Sequence, residues 1–373
     1  MSDESIKELT PPFTKGGAGG ISLTAVQPEQ LRVPSRKLEE AHGRRIRLLS
    51  SFVFISPLLA AFVALFLGAY GVTPLQVLHI MANAFSGIDS PEAAIVLDIR
   101  LPRIILAGLV GMSLSTSGAT LQAVLRNPLV DPFILGISAG AAFGCAISIG
   151  FLPGMSLQVM AFAFGGLAVF MACTMARSGG EISRLSLVLS GVIVSALFTA
   201  LLSIIKFLVD PMKLQSIVYW LMGSFALADW PQVRSAGIGI ILGCLPVFLL
   251  RWRLNVISMG DEEARTLGVN VSRKRIIFIA SATLAVTSAV AVSGIIGWIG
   301  LMVPHLVRML AGPDHRRLIP LTMAGGAAFM ICADTAARNL TAADVPVGII
   351  TALAGAPFFI YLMKRGGAES WGK

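Results

Sequence analysis

Along most of the chain the hydrophobic positions do not alternate with polar ones; they run together. Stretches free of Asp, Glu, Lys and Arg are separated by short charged or Gly- and Pro-marked interludes. A helix needs about 20 residues to span the hydrocarbon layer of a bilayer. Leu48–Tyr70, Ile104–Leu125, Leu185–Ile205, Ser235–Leu250, Leu318–Ala333 and Val345–Met363 each predict one such span. The 44-residue run Phe133–Ala176 predicts two, with FLPGMS as the turn between them. The 32-residue run Ile276–Val307 predicts one full span and a shorter helix, broken at SGIIGWIG. Leu214–Ala228 is apolar but only 15 residues long, and predicts an interfacial or re-entrant helix. The expected fold class is all-α, a polytopic membrane protein with about ten transmembrane helices.

The first 46 residues are a different material, rich in Gly, Pro and charge and without periodicity. They predict a disordered cytosolic tail, followed by a transmembrane domain over 47–366 and a short cytosolic C-terminal tail over 367–373. The first apolar run begins only at Leu48 and lacks a convincing cleavage site, so a signal peptide is not expected.

Composition agrees with the pattern. Of 373 residues, 55% are hydrophobic and 13% charged, against about 25% charged in soluble domains. The net charge of +9 follows from topology rather than from nucleic-acid binding. With the amino terminus in the cytosol, 23 Lys and Arg fall on the cytosolic side and six on or toward the other: Arg100, Arg103, Lys206, Lys213, Arg234 and Arg338. Cytosolic loops collect Lys and Arg, so both termini are expected in the cytosol. The four cysteines stand singly in apolar runs, with no metal or disulfide spacing.

Candidate chemistry is sparse. No phosphate loop or HExxH occurs, and the span interiors are nearly free of ionisable groups, which mark ion and proton pathways. Lys206 with Asp210, and Asp334 with Arg338, stand four apart at outer helix ends and predict local pairs. A secondary transporter or a membrane enzyme is therefore disfavoured. Gly136, Gly140 and Gly144, and Gly239 and Gly243, recur at helix-packing spacing, for the bundle itself or for a dimer face.

One interlude is different. ISMGDEEARTLGVNVSRKR, Ile257–Arg275, holds three consecutive acids and four basic residues between two spans. Ser258 reads as a helix cap, Asp261, Glu262 and Glu263 as first-turn acids favoured by the helix dipole, and Gly268 as a stop after Arg265. The expected product is a two-turn cytosolic helix. Ala264, Leu267 and Val269 would give it an apolar side in want of a protein partner.

At this point several motifs in order carry a resemblance: RLPRI (Arg100–Ile104), GATLQAVLRNPLVDPFILGISAGAAFG (Gly118–Gly144), EEARTLGV (Glu262–Val269), GWIGLMVPHLVRMLAGPDHR (Gly297–Arg316) and ADVPVGIITALAGAPFFIYL (Ala343–Leu362). The chain resembles the permease subunit of type II ABC importers of the FecCD type, which move iron–siderophore complexes, haem and cobalamin across the bacterial inner membrane, with a few relatives carrying molybdate. The resemblance implies a homodimer, two cytosolic ABC ATPase subunits that bind ATP and Mg, and a periplasmic substrate-binding protein. It implies no ATPase site, cofactor or metal in this subunit itself. It makes Gly260–Val269 the coupling helix seated in the ATPase, and Arg100, Arg103 and Arg338 the residues that receive acidic groups of the binding protein. It lines the path between two copies with the fifth, eighth and tenth spans; Ser190, Ser195, Thr199, Ser203 and Lys206 are the polar candidates. Lys206, near the outer mouth, could attract an anionic chelate.

Overall fold

The computed structural model describes residues 36–68, 71–82, 90–178, 181–340 and 344–366. By its internal contacts the chain divides into Met1–Arg45 and a larger body, Ile46–Lys373. Helix α1 runs Arg36–Phe66, so residues 36–46, expected to be disordered, are helical; residues 1–35 and 367–373 lie outside the described residues.

After α1 come α2 (Pro74–Ala82) and α3 (Pro91–Ala94), then a π-turn (Ile95–Arg100) that runs into α4 (Leu101–Leu125). A 3-10 turn (Pro132–Leu135) precedes α5 (Ile137–Phe151) and α6 (Leu157–Met175). The short strands β1 (Arg177–Ser178) and β2 (Glu181–Ile182) pair antiparallel, Arg177 opposite Ile182. The chain continues as α7 (Arg184–Leu208), α8 (Pro211–Leu221), α9 (Trp230–Met259), α10 (Asp261–Thr266), α11 (Val271–Ser293), α12 (Ile299–Ala311), α13 (His315–Asn339) and α14 (Val347–Gly366).

Helix starts follow the polar punctuation. Side chains of Ser156, Asp210, Asp229, Asn270 and Asp314 each accept a backbone N–H in the first turn of the helix they precede, satisfying donors that the helix itself cannot. Pro102 lies within continuous helix. Pro102 has no N–H and would clash with a carbonyl four residues back. The π-turn just before it, closed by Leu101 N–H to Val96 O, widens the register there.

Among the described residues, seven segments, in α1, α6, α7, α9, α11, α13 and α14, are long and apolar enough to cross a membrane. The other expected spans coincide with α4, α5 and α12. With 15 and 13 residues, α5 and α12 rise only about 20 Å, less than a hydrocarbon core of about 30 Å. Non-α backbone extends each, over 132–136 and 294–298, and half of it is buried in protein with none fully exposed, where non-helical backbone is tolerated in membranes.

Helix α4 forms the centre. Its Leu106, Val110, Leu114, Leu121 and Val124 are all buried, with α9, α11, α12 and α13 packed around it, as a helix apolar on every side requires. Ser115 donates to Gly111 O and across to Thr322 O of α13 at 3.0 Å. Gly140 and Gly144 bring α5 so close to the Phe164 and Met160 carbonyls of α6 that a Cβ at either would collide. Gly243 does the same for α9 against Ala285 of α11. These stripes are packing faces inside the subunit.

Candidate functional site

Helix α9 does not stop at Leu250, where the apolar run ends. It continues to Met259, so Ser258 is inside it, donating to Asn255 O at 2.8 Å; the boundary residue is Gly260, not the expected cap at Ser258. The helix that follows, α10, has six residues. It closes with Gly268 N–H to Arg265 O at 2.9 Å and Val269 N–H to Ala264 O at 3.0 Å. Gly268 has φ +76°, a left-handed end that glycine adopts without steric cost.

The apolar side expected of α10 is divided. Ala264 is buried against its own subunit, Val269 is half-buried, and Leu267 faces outward, 60% exposed. Glu262, Glu263, Arg265 and Gly268 are exposed around it. The helix thus has an anchored side and a presented side.

Asp261 is the anchor. Arg275 of α11 donates to both carboxylate oxygens at 3.0 and 2.9 Å, and its other arm reaches Ile182 O in β2 at 2.7 Å. Arg126 donates at 3.1 Å, and Arg184 at the start of α7 stands 3.9 Å away. Arg126, just past the end of α4, is held at φ +52°, rare for a residue with a Cβ. The inner ends of α4, α7 and α11 therefore converge on one carboxylate of α10. Burial pushes that carboxyl up, but the Arg275 hydrogen bonds and the charges of Arg275, Arg184 and Arg126 outweigh it and hold it below the usual carboxylate range. The sequence reading saw Asp261 only as a dipole complement. The signal for more was the isolated Arg126 before Asn-Pro, together with Arg275. In the turn between α4 and α5, burial pushes Asp131 up to about 6, against the hydrogen bond it accepts from Phe133 N.

The outer arginines are turned inward. Arg103 bonds Asp334 of α13 through Nε and Nη2 at 2.9–3.1 Å, and Asp344 through Nη1 at 2.9 Å. Arg100 donates to Leu65 O at 2.7 Å and Arg338 to Ala64 O at 2.6 Å, both in the last turn of α1. All three are less than a tenth exposed. The guanidinium groups tie these ends of α1, α4 and α13 together and satisfy α1 carbonyls that lack helical partners. Asp334 accepts hydrogen bonds from Arg103 on both oxygens, while Arg338, four residues on, turns to Ala64 O.

On α7, Ser190 is buried and Ser195 donates to Gly191 O at 2.7 Å. Thr199 and Ser203 are exposed, with Ser203 Oγ bonded to Thr199 O at 2.9 Å. They sit on a face that also exposes Leu189, Val192 and Ile193. The expected Lys206–Asp210 pair does not form. Asp210 caps α8 and pairs with Lys213 at 3.7 Å, leaving Lys206 half-buried with no partner among the described residues. Trp298, unmarked by the sequence reading, takes φ +72° at the head of α12 and packs on Gly355 of α14. Among the described residues no three His, Cys, Asp or Glu side chains converge where an ion could sit.

Comparison with known proteins gives these features a family. The profile of the FecCD transport family matches residues 57–365. The chain belongs to the FecCD transport family. A solved structure described as "An inward-facing conformation of a putative metal-chelate type ABC transporter" superposes with TM-score 0.78 at 36% identity, over 86% of this chain and 99% of that one. The "Probable iron chelatin transport system permease protein" of Helicobacter pylori J99 is 47% identical, over 74% of this chain and 84% of its own length. The molybdate import system permease protein MolB of Haemophilus influenzae is 40% identical over 83% and 94%. The cobalamin import system permease protein BtuC of Halobacterium salinarum is 42% identical over 74% and 75%. This FecCD-family chain is an all-α, multi-pass ABC permease.

Proposed function

We propose that the chain is the membrane-spanning subunit of an ATP-driven importer for an iron chelate, a ferric siderophore or haem. Two copies would enclose the path, with ATPase subunits at the cytosolic face of the inner membrane and a binding protein at the outer one. The observation that carries this reading is α10: a short charged helix, pinned from behind through Asp261 and Ala264, that presents Leu267 and three charged side chains to a partner. Hydrolysis in the ATPase, which holds ATP and Mg, would be felt there. This subunit contributes no catalytic group. The weakly covered faces of α7 and α14, with a third or less of their apolar windows buried, suit a second copy and a wall that binds cargo weakly. Thr199, Ser203 and Lys206 lie on that route. The outer rim that receives the binding protein would be held in shape by Arg100, Arg103 and Arg338.

Iron chelate is preferred because the Helicobacter relative at 47% identity carries that name; cobalamin and molybdate, named for other relatives, are the competing cargoes. Proteoliposomes holding this subunit with its ATPase and binding protein, offered haem, a ferric siderophore, cobalamin and molybdate with and without ATP, test the reading. ATP-dependent uptake of an iron chelate is expected. Uptake driven by an ion gradient without ATP would overturn it. Leu267→Asp should abolish substrate-stimulated ATPase activity while leaving the subunit folded, and unchanged transport in that variant would remove α10 from the coupling role.

A further inference from the structure

At the inner end of α9 an open cleft of about 510 Å³ is lined by Leu249, Arg251, Trp252 and Arg316. Its volume falls within the roughly 300–1,000 Å³ of ligand pockets, and among the described residues no acidic side chain lines it. Arg251 is held in place: Nη1 donates to Phe248 O at 2.6 Å, Nε to Arg316 O at 3.2 Å, and the guanidinium lies 4.3 Å over the Phe248 ring. Its Nη2, and the whole guanidinium of Arg316, make no hydrogen bond to the described residues. The nearest carboxylate, Asp314, is bonded to Asn255 Nδ2 and Arg316 N.

The depth of this cleft follows from helix geometry. Trp230 and Trp252 stand 22 positions apart on one unbroken helix, which at 1.5 Å per residue is about 33 Å. That matches a hydrocarbon core of about 30 Å with a tryptophan at each interface. Arg251 and Arg316 are then at the level of the inner headgroups. Below them Ile238, Ile241, Leu242, Leu245 and Leu249 form one exposed stripe at helical spacing that leads to the cleft.

We propose that this cleft is a binding site for an anionic phospholipid of the inner leaflet, with the phosphate between Arg251 and Arg316 and an acyl chain along the α9 stripe. Basic pockets on the cytosolic side of transmembrane helices take such headgroups. The proposal rests on the chain spanning a membrane and not on the identity of its cargo.

Native mass spectrometry of the detergent-extracted full chain, titrated with phosphatidylglycerol or phosphatidylcholine, tests it. One tightly held phosphatidylglycerol per chain is expected. Each near-surface arginine contributes roughly a fivefold factor, so Arg316→Gln, whose guanidinium makes no hydrogen bond to the described residues, should weaken binding about fivefold, and the double variant with Arg251→Gln about thirtyfold. Binding of phosphatidylcholine should not change. Loss of the same two charges elsewhere on the inner face, Arg273→Gln with Lys274→Gln, should leave phosphatidylglycerol binding intact. Soluble glycerol phosphate should not displace the lipid. Equal affinity for the two lipids, unchanged affinity in Arg316→Gln, an equal loss in the Arg273/Lys274 variant, or displacement by glycerol phosphate would each overturn the site.

Discussion

Replacing Asp261 with Asn isolates the anchoring of α10. The change keeps the side chain's shape and removes its charge. In the wild type the carboxylate receives two bonds from Arg275 and one from Arg126, between 2.9 and 3.1 Å. Arg275 is 5% exposed and Asp261 30%. Breaking a fully buried pair by removing one partner costs about 3–5 kcal/mol, whereas an exposed pair is worth roughly 0–1. This half-buried hub lies between, at about 2–3 kcal/mol, close to the value of charged hydrogen bonds. The loss is local, because the apolar packing of α4, α7 and α11 is untouched. Hydrogen exchange over residues 261–269 should therefore quicken about thirtyfold or more, while the spans keep their protection. In the assembled transporter, ATP hydrolysis should lose its dependence on substrate. Arg126→Ala should do less, since Arg126 gives one bond from a more exposed position, and Arg184→Ala least. The carboxyl is held below the usual range, so its contribution is present above its unfolded pKa and is lost only as pH falls through the lower folded value. No change in the seating of α10 is expected between pH 5 and 8. Wild-type exchange and coupling in Asp261→Asn would refute the anchoring argument.

Two other substitutions test burial and charge elsewhere. Burial raises Asp131 to about 6, so its charge destabilises the folded chain increasingly as pH rises from its unfolded value toward 6. Asp131→Asn, which can still accept from Phe133 N, should raise the thermal midpoint at pH 7.5 and leave it nearly unchanged at pH 4; a pH-independent effect would contradict this. At the outer end, Asp334 is 2% exposed and Asp344 36%. Asp334→Asn should cost about 3–5 kcal/mol and Asp344→Asn less than about 1, read from thermal unfolding in detergent; equal effects would show that burial does not decide.

Much of the architecture was legible along the chain because the bilayer imposes a length. Each apolar run near 20 residues met a helix, and the polar residues between runs proved to be the caps that start them. The two interrupted spans were readable only in part. A run of apolar letters does not say where α-helix gives way to non-α backbone, as at 132–136 and 294–298, since neighbouring elements supply the burial that permits it. The charged interlude announced a short helix between two spans, yet not which side of it faced out.

Composition and order alone determined the membrane class, the positions of the long apolar spans and the motifs of the family. Only the tertiary structure decided how the ionisable residues are partnered. Asp334 found Arg103 over 231 positions of sequence, Asp210 chose Lys213 over Lys206, and Asp261 gathered three arginines from the ends of three helices. The reason is physical. Apolar runs are sorted by transfer into lipid, a property each segment carries by itself. A buried charge must be matched by whatever opposite charge the packing brings within a few ångströms, and that depends on every helix at once.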